Sequence, residues 1–562
     1  MKGKPWQKHY DTGVPTTLQP YPNKTLLDIV SETVQQRPDH PALFFKGRQL
    51  SYKQIEKLSD TFASSLVDLG VKKGDRIALL LANCPQFIIT QMGVWKAGCI
   101  AVPINPVYSE RELEHALNEC GAEIAVVMTS SYDKVKKVQH KTDLHCLITT
   151  NIKEYLPIML RILFTFFKEK KGGHRIVLGD GAIWLRALLH QYDKHSRPDI
   201  SVKPEDPALI IFTGGTTGTP KGALGTHASL VMTSIQLHTW FGVLLKDWDD
   251  IIMLAMPLFH MYGNLGILGT GLVGHNPLVL VPDPRDIGDI IFTINKVRPA
   301  FIPAVPTLLN TLLNHPEVKS GSIDFKSVKL CISAAAPLMS ETKKNFEELT
   351  HGRVVEAYGL TESMLAAVIT PLQGTYKNGS VGIPLPDVDV RVVDVNTDKG
   401  NLPAGEVGEI VVSAPQLMQG YWQRPAETAE TIRGGWLYTG DIGYLDEDGY
   451  IFIVDRKKDV IKPSGFQVWP REVEEVIASH PAVIEVGVAG IPDERQGEAV
   501  KAWIVLRKDY TVSIDEIRNY CRENLTAYKV PKYVELCDSL PKSMVGKVLR
   551  RELVSESLKS KS

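Results

Sequence analysis

The feature that most narrows the fold is a rhythm between residues 75 and 128 of this 562-residue chain, where uniformly apolar runs alternate with helical stretches. DRIALLL reads as a buried strand, residues 86–96 as a helix and CIAVPI as a second strand. Ser109 and Glu112 then form a capping box, Leu113, Ala116, Leu117 and Cys120 share one face of the helix it opens, and Gly121 ends that helix. AEIAVVM follows as the next strand. Strands apolar on both faces need cover on both faces, which is the property of a parallel sheet in βαβ layers. The expected class is therefore α/β.

The chain is far longer than one hydrophobic core supports, so two or more domains are expected. Between 381 and 454 the pattern changes to short strands such as VDVRVVDV and GEIVVS separated by Gly, Pro and Asp turns, which predicts a mostly β subdomain. Beyond residue 455 it changes again. A helix over 470–479 starts with Pro470, strands follow near VIEVGVAG and AVKAWIVL, and a helix spans 514–524, enough for a compact α+β domain. The expected division is a large N-terminal domain over 1–455, with its β subdomain, and a small C-terminal domain over 456–562, with the charged run DRKKD as linker.

Hydrophobic residues make up 44% of the chain and charged ones 23%, with a formal net charge of −1, which is the profile of a soluble enzyme and gives no bias toward nucleic acid. The seven cysteines include no CxxC pair, so neither a disulfide framework nor a zinc site is expected, and a reducing cytoplasm fits best. The N-terminal stretch has no apolar run of signal-peptide type, and no run of about 20 uncharged apolar residues is present to span a bilayer. One segment stands apart: 155–167, YLPIMLRILFTFF, is apolar almost all round and is followed by Lys168, Lys170 and Lys171. Both a buried helix and a shallow helix on the cytoplasmic face of a membrane fit it.

The string that carries most chemistry is TGGTTGTPKGA, from Thr213 to Ala223, after the apolar strand ALIIF. Gly214, Gly215 and Gly218 let a backbone wrap closely round phosphate oxygens, and the hydroxyls of Thr213, Thr216, Thr217 and Thr219 with the charge of Lys221 suit a polyphosphate. A Walker A loop is excluded, because Pro220 precedes the lysine and Gly222 follows it. An ordinary glycine-rich turn would leave four threonines and a lysine crowded together without a role.

With this loop the sequence resembles the adenylate-forming superfamily of acyl-CoA synthetases, luciferases and peptide-synthetase adenylation domains. PLFHMYG, SAAAPL, EAYGLTES, YTGD, DRKKDVIKPSGFQV and PKSMVGKVLRR repeat the resemblance in order along nearly the whole chain. It implies adenine beside Tyr358 and Gly359, with Ala334, Ala335 and Ala336 on its other side. It places Thr361 at the α-phosphate, Glu362 on Mg²⁺, and Asp441 and Arg456 on the ribose. A carboxylate on Mg²⁺ with phosphates and water is ordinary magnesium chemistry. Lys547 is implied to draw the substrate carboxylate and the α-phosphate together, although PKSMVGK departs from the common PRTxSGK pattern. The C-terminal domain is implied to be mobile, with a hinge near Lys458, bringing in the loop from Lys462 to Gly465 for the second half-reaction with coenzyme A. His260 is placed by analogy near the acyl carboxylate; an isolated histidine on an apolar segment also fits an ordinary core.

The segment from Trp436 and the string GHNPLVLVPDPRDI look most like fatty-acyl-CoA synthetases, and with the insertion at 155–167 they are similar to the bacterial long-chain enzymes. The resemblance implies an ATP-dependent, AMP-forming acyl-CoA ligase for a fatty acid, long chains preferred. The apolar stretches 265–272 and 302–309 are candidates for an acyl tunnel, and ordinary core fits them equally. An aryl-CoA ligase of the 4-coumarate type, a medium-chain ligase, a luciferase-like or acyl-AMP-forming relative, and a catalytically silent lipid-binding protein are the rivals. The expected partners are fatty acid, ATP, Mg²⁺ and CoA, with peripheral membrane contact through 155–167, no nucleic acid, and a homodimer left open.

Overall fold

The structure is a computed structural model and describes residues 4–213, 220–336, 338–395, 397, 400–507, 510–543 and 548–559. The predicted βαβ rhythm forms one layer. Arg76–Leu80 lies between Ile100–Pro103 and Ile124–Met128, all parallel, and the sheet extends through Cys146–Thr150 to Ala182–Trp184 on one side and Pro207–Phe212 on the other. The helix Glu110–Cys120 has the expected capping box at Ser109 and ends at Gly121, whose φ of 57° is the left-handed turn glycine accommodates without strain. The strand Pro207–Phe212 does not run on into a helix. The chain returns as Gly222–Thr226, which pairs antiparallel with it, so the Gly/Thr string falls between two paired strands in sequence.

A second sheet packs alongside, with Phe301–Ala304, Leu330–Ala334 and Arg353–Leu360 running parallel at its centre and Leu365–Ile369 turning antiparallel after them. The segment expected as a β subdomain divides. Asp389–Val393, Gly408–Ser413, Trp436–Leu445 and Ile451–Arg456 form a sheet of their own, whereas Ile383–Pro384 joins the second sheet and Gly420–Tyr421 returns to pair with Gly222–Thr226. Sequence pattern identifies a short strand but not its neighbour.

The small C-terminal domain has its own core around Val473, Ile477, Val488, Ala502, Ile504 and Ile517. Its helix Pro470–Ala478 begins with proline and its helix Ile514–Asn524 occupies the expected span, beside the strands Val483–Asp493, Gly497–Leu506 and Tyr533–Leu536. Large N-terminal α/β layers with a β sheet and a small α+β domain are the architecture expected from the sequence.

The segment 155–167 resolves against the buried alternative. Tyr155 is buried in the main core, but from Ile158 the helix stands out from the body, with Ile158 80%, Phe166 79% and Phe167 74% exposed. Lys153 and Asn151 tie its far end down through Glu169. No helix among the described residues is long and apolar enough to cross a membrane.

Candidate active site

The strand Arg353–Leu360 places Glu356 and Tyr358 two residues apart, hence on one face. Both line a cavity of about 1380 Å³, larger than a drug-sized ligand needs. Ala334, Ala335 and Ala336 line the same cavity, Ala334 being the register partner of Ala357 on the adjacent strand. Ala335 holds a φ of 70°, a backbone strain that turns the loop beside Tyr358.

Asp441, 3% exposed, sits opposite Arg456 across two paired strands. Its Oδ1 lies 2.6 Å from Arg456 Nε, and its Oδ2 accepts from the Tyr358 hydroxyl at 2.7 Å. Burial first, and then the charge of Asp441, hold the Tyr358 hydroxyl protonated far above the ordinary range. A carboxylate oxygen accepts more than one hydrogen bond, so this pair can still take vicinal hydroxyls.

A second cluster forms at the base of the hairpin loop. Thr213 N–H donates to the Lys221 carbonyl at 2.9 Å, and Lys221 N–H to Thr213 Oγ1 at 3.3 Å, closing the loop's neck. Residues 214–219, which hold Gly214, Gly215, Thr216, Thr217, Gly218 and Thr219, lie outside the described residues. Lys221 Nζ stands 4.8 Å over the ring of Tyr421, whose hydroxyl donates to Glu362 Oε1 at 2.7 Å. Thr361 precedes Glu362 in a turn, its carbonyl accepting from Met364 N–H. Among the described residues no group of three His, Cys, Asp or Glu side chains is placed to hold a metal alone. A Mg²⁺ at Glu362 would therefore take its other ligands from nucleotide and water, as magnesium usually does.

His260 lines the cavity on a loop that a buried amide network fixes. Asn83 donates to the carbonyls of Leu254 and Met256 and accepts from Leu258 N–H, while Asn264 exchanges amide hydrogen bonds with Gln91 and donates to the Leu258 carbonyl. At Gly263 a Cβ would fall 2.3 Å from the Pro257 carbonyl oxygen, so the loop closes only over glycine. Tyr262 N–H donates to His260 Nδ1 at 3.2 Å, which leaves the ring proton on Nε2.

Burial lowers the His260 imidazole from 6.5 to about 4. Between those values the unfolded chain takes up a proton that the native state does not, so stability falls as pH falls through that window. His260→Gln removes this dependence. Relative to the unsubstituted chain its unfolding free energy, read from urea titrations, is expected to gain about 1 kcal/mol per pH unit on acidification below about pH 6.5. Parallel stability curves would show that His260 titrates normally.

Leu237, Phe241, Phe301, Ile332, Leu365 and Ile369 supply the apolar lining, and the helix Pro306–Asn314 adds Thr307, Asn310 and Thr311. Of the stretches 265–272 and 302–309, Gly266, Pro306 and Thr307 reach the cavity, whereas Leu265, Leu268, Ile302 and Leu309 belong to the core. From the C-terminal domain come Arg471, Glu474, Lys542, Val548 and Arg550. Lys547 lies outside the described residues, between Lys542 and Val548 in sequence. Lys458 lines the cavity, while Lys462 and Gly465 are exposed in the turn Pro463–Gly465, where Ser464 and Gly465 have φ of 51° and 87°.

Sequence reading missed Tyr421, Glu356, the Asn83–Gln91–Asn264 network and Arg550. Glu356, raised to about 7 chiefly by burial, lies inside the quoted string EAYGLTES without a signal of its own. Tyr421 reaches Glu362 across 59 residues, a pairing only the fold supplies.

The buried acid–tyrosine–arginine cluster and a large cavity lined from both the N-terminal layers and the C-terminal part suit a nucleotide-binding enzyme. A model of the AMP-binding enzyme family matches residues 30–422, and one of the AMP-binding enzyme C-terminal domain matches 472–547, so the chain belongs to the AMP-binding enzyme family. It is similar to a long-chain-fatty-acid–CoA ligase of Escherichia coli O6:H1, 38% identical over 99% of this chain and 98% of that protein. A long-chain-fatty-acid–CoA ligase of Bacillus subtilis is 37% identical over 98% of each chain. Among solved structures, ATP-bound MatB from Rhodopseudomonas palustris is similar, with a TM-score of 0.82 and 27% identity over 95% of this chain and 99% of that one.

Proposed function

We propose that this chain is an ATP-dependent, AMP-forming acyl-CoA ligase that activates a long-chain fatty acid as its acyl-adenylate, releasing pyrophosphate, and then transfers the acyl group to CoA with release of AMP. The observation that carries the reading is one cavity joining Tyr358, Asp441 and Arg456 to an apolar lining and to the C-terminal domain. Full-length similarity to ligases named for long-chain acids supports the substrate class. ATP, Mg²⁺ and CoA are the cofactor and co-substrates this requires.

In this reading adenine packs between Tyr358 with Gly359 and the Ala334–Ala336 turn, and the ribose hydroxyls donate to Asp441 with Arg456 beside it. Thr213, Lys221, Thr361 and the loop 214–219 take the phosphates, and Glu362, steadied by Tyr421, holds Mg²⁺. Lys547 neutralises the approach of the carboxylate to the α-phosphate. Neutral His260 faces the acyl carboxylate as a hydrogen-bond donor. Lys462 and Gly465 serve the second half-reaction after rotation about Lys458. Two anchors support a change of domain between 458 and 460, a few residues past the expected boundary at 455: Lys457 pairs with Glu409 on the N-terminal side, and Ile461 belongs to the C-terminal core. A homodimer is compatible with this reading. ATP- and CoA-dependent release of AMP from a fatty acid tests the reading.

The exposed helix supports a contact with an anionic membrane surface. It presents apolar side chains beside Arg161, Lys168, Lys170 and Lys171, all exposed, the pairing by which interfacial helices hold acidic headgroups. Six of seven unpaired cysteines are buried, in keeping with a reducing, cytoplasmic setting. Replacing Phe166 and Phe167 together by aspartate is expected to lower co-sedimentation with phosphatidylglycerol vesicles about tenfold or more, since two large apolar side chains are lost from the interface. Unchanged co-sedimentation would end the membrane assignment.

A further inference from the structure

Arg550 is the first residue of the C-terminal helix Arg550–Lys559 and holds three carboxylates at once. Its Nε and Nη2 fork onto Glu474 at 3.2 and 2.8 Å, and its Nη1 lies 3.1 Å from Asp455 Oδ1 and 2.9 Å from Asp459 Oδ2. Glu474 belongs to the same small domain, but Asp455 is the penultimate residue of the strand Ile451–Arg456 of the β sheet, on the other side of Lys458. Asp455 is 5% exposed, and its Oδ2 also accepts from Arg471 N–H at 2.7 Å, while Arg471 Nη1 donates to the Ile453 carbonyl. On the near side Lys457 is fixed to Glu409 and to the Gly440 carbonyl, so a rotation about Lys458 would leave Asp455 where it is and carry Arg550 and Arg471 away. The contacts through Asp455 therefore belong to one domain arrangement only. In that arrangement Lys542, Val548 and Arg550 face the cavity of Tyr358 and Asp441, while Ser464 and Gly465 are exposed to solvent.

We propose that the Arg550–Asp455 ion pair is a latch across the hinge that positions the C-terminal domain for adenylate formation and is broken before acyl transfer to CoA. This rests on the ligase reading above. A charge pair with one partner almost fully buried is costly to leave half-made, so the latch biases the two arrangements. Arg550 is thus a positioning residue for the first half-reaction. A purely structural arginine, serving only the fold of the small domain, would affect both half-reactions alike.

The test measures the two half-reactions separately on the full chain: acyl-AMP formation from ATP and a fatty acid, and thioester formation from supplied acyl-AMP and CoA. Arg550→Gln is expected to slow the first about tenfold, the population shift for losing the bias, and to leave the second within about twofold or faster. Asp455→Asn is expected to give the same split, the double variant no further loss, and Arg550→Lys a partial recovery of the first step alone. The retained second step reports that the variants are folded. Equal losses in both steps, or additive losses in the double variant, would overturn the latch alone. An unsubstituted chain that forms no acyl-AMP from any acid would overturn the ligase reading and the latch with it.

Discussion

Lys547→Ala is expected to lower acyl-AMP formation by about two to three orders of magnitude, the range seen when one preorganised group facing transition-state charge is removed. Thioester formation from supplied acyl-AMP should stay within about twofold of the unsubstituted rate. The reason is electrostatic. Substrate carboxylate and α-phosphate are both anionic, and two charges about 4 Å apart at an effective dielectric near 20 repel by about 4 kcal/mol. A cation between them removes that barrier in the first step, whereas the second step brings a thiol to an adenylate already formed. Lys542 and Val548, which flank the string in sequence, line the same cavity as Tyr358, Asp441 and Arg456. Separate assays of the two steps read the split, and an equal loss in both would withdraw the role from Lys547.

Gly266→Leu is expected to shift the preferred acid toward shorter chains. Gly266 lines the cavity, and a Cβ built there lies 2.7 Å from Leu365 Cδ2, the flexible end of another lining side chain, and 3.1 Å from the Tyr262 ring, so a larger side chain takes up cavity space that the proposed acyl chain would fill. Each methylene denied its burial costs about 0.8 kcal/mol, so displacing about four of them amounts to roughly 3 kcal/mol, or about two orders of magnitude in kcat/KM for the longest acids. Acids short enough to end before Gly266 should be affected about twofold or less. A uniform loss across chain lengths would place Gly266 outside the tunnel.

The parts of the fold legible in sequence are those written locally. The Ser109–Glu112 capping box, the left-handed stop at Gly121 and the proline start at Pro470 each rest on neighbours a few residues away, and each stands where expected. The Gly/Thr string suits phosphate by composition, but the antiparallel return of Gly222–Thr226 onto the strand before it is not written there. Partners far apart in the chain left no local signal. Asn264 meets Gln91 across 173 residues and Arg550 meets Asp455 across 95, and neither pairing shows in periodicity or spacing. The helix from Ile158 shows the converse: its composition fits a core or an interface equally, and only its position outside the packed layers rules out the core.

The most direct measurement of the ligase assignment is ATP- and CoA-dependent release of AMP and pyrophosphate across straight-chain acids of increasing length, with 4-coumarate in the same panel. Turnover is expected to rise to a maximum at long chains, with AMP, pyrophosphate and acyl-CoA formed in equal amounts. A maximum at the aromatic acid, acyl-AMP without thioester, or no turnover with any acid would contradict it.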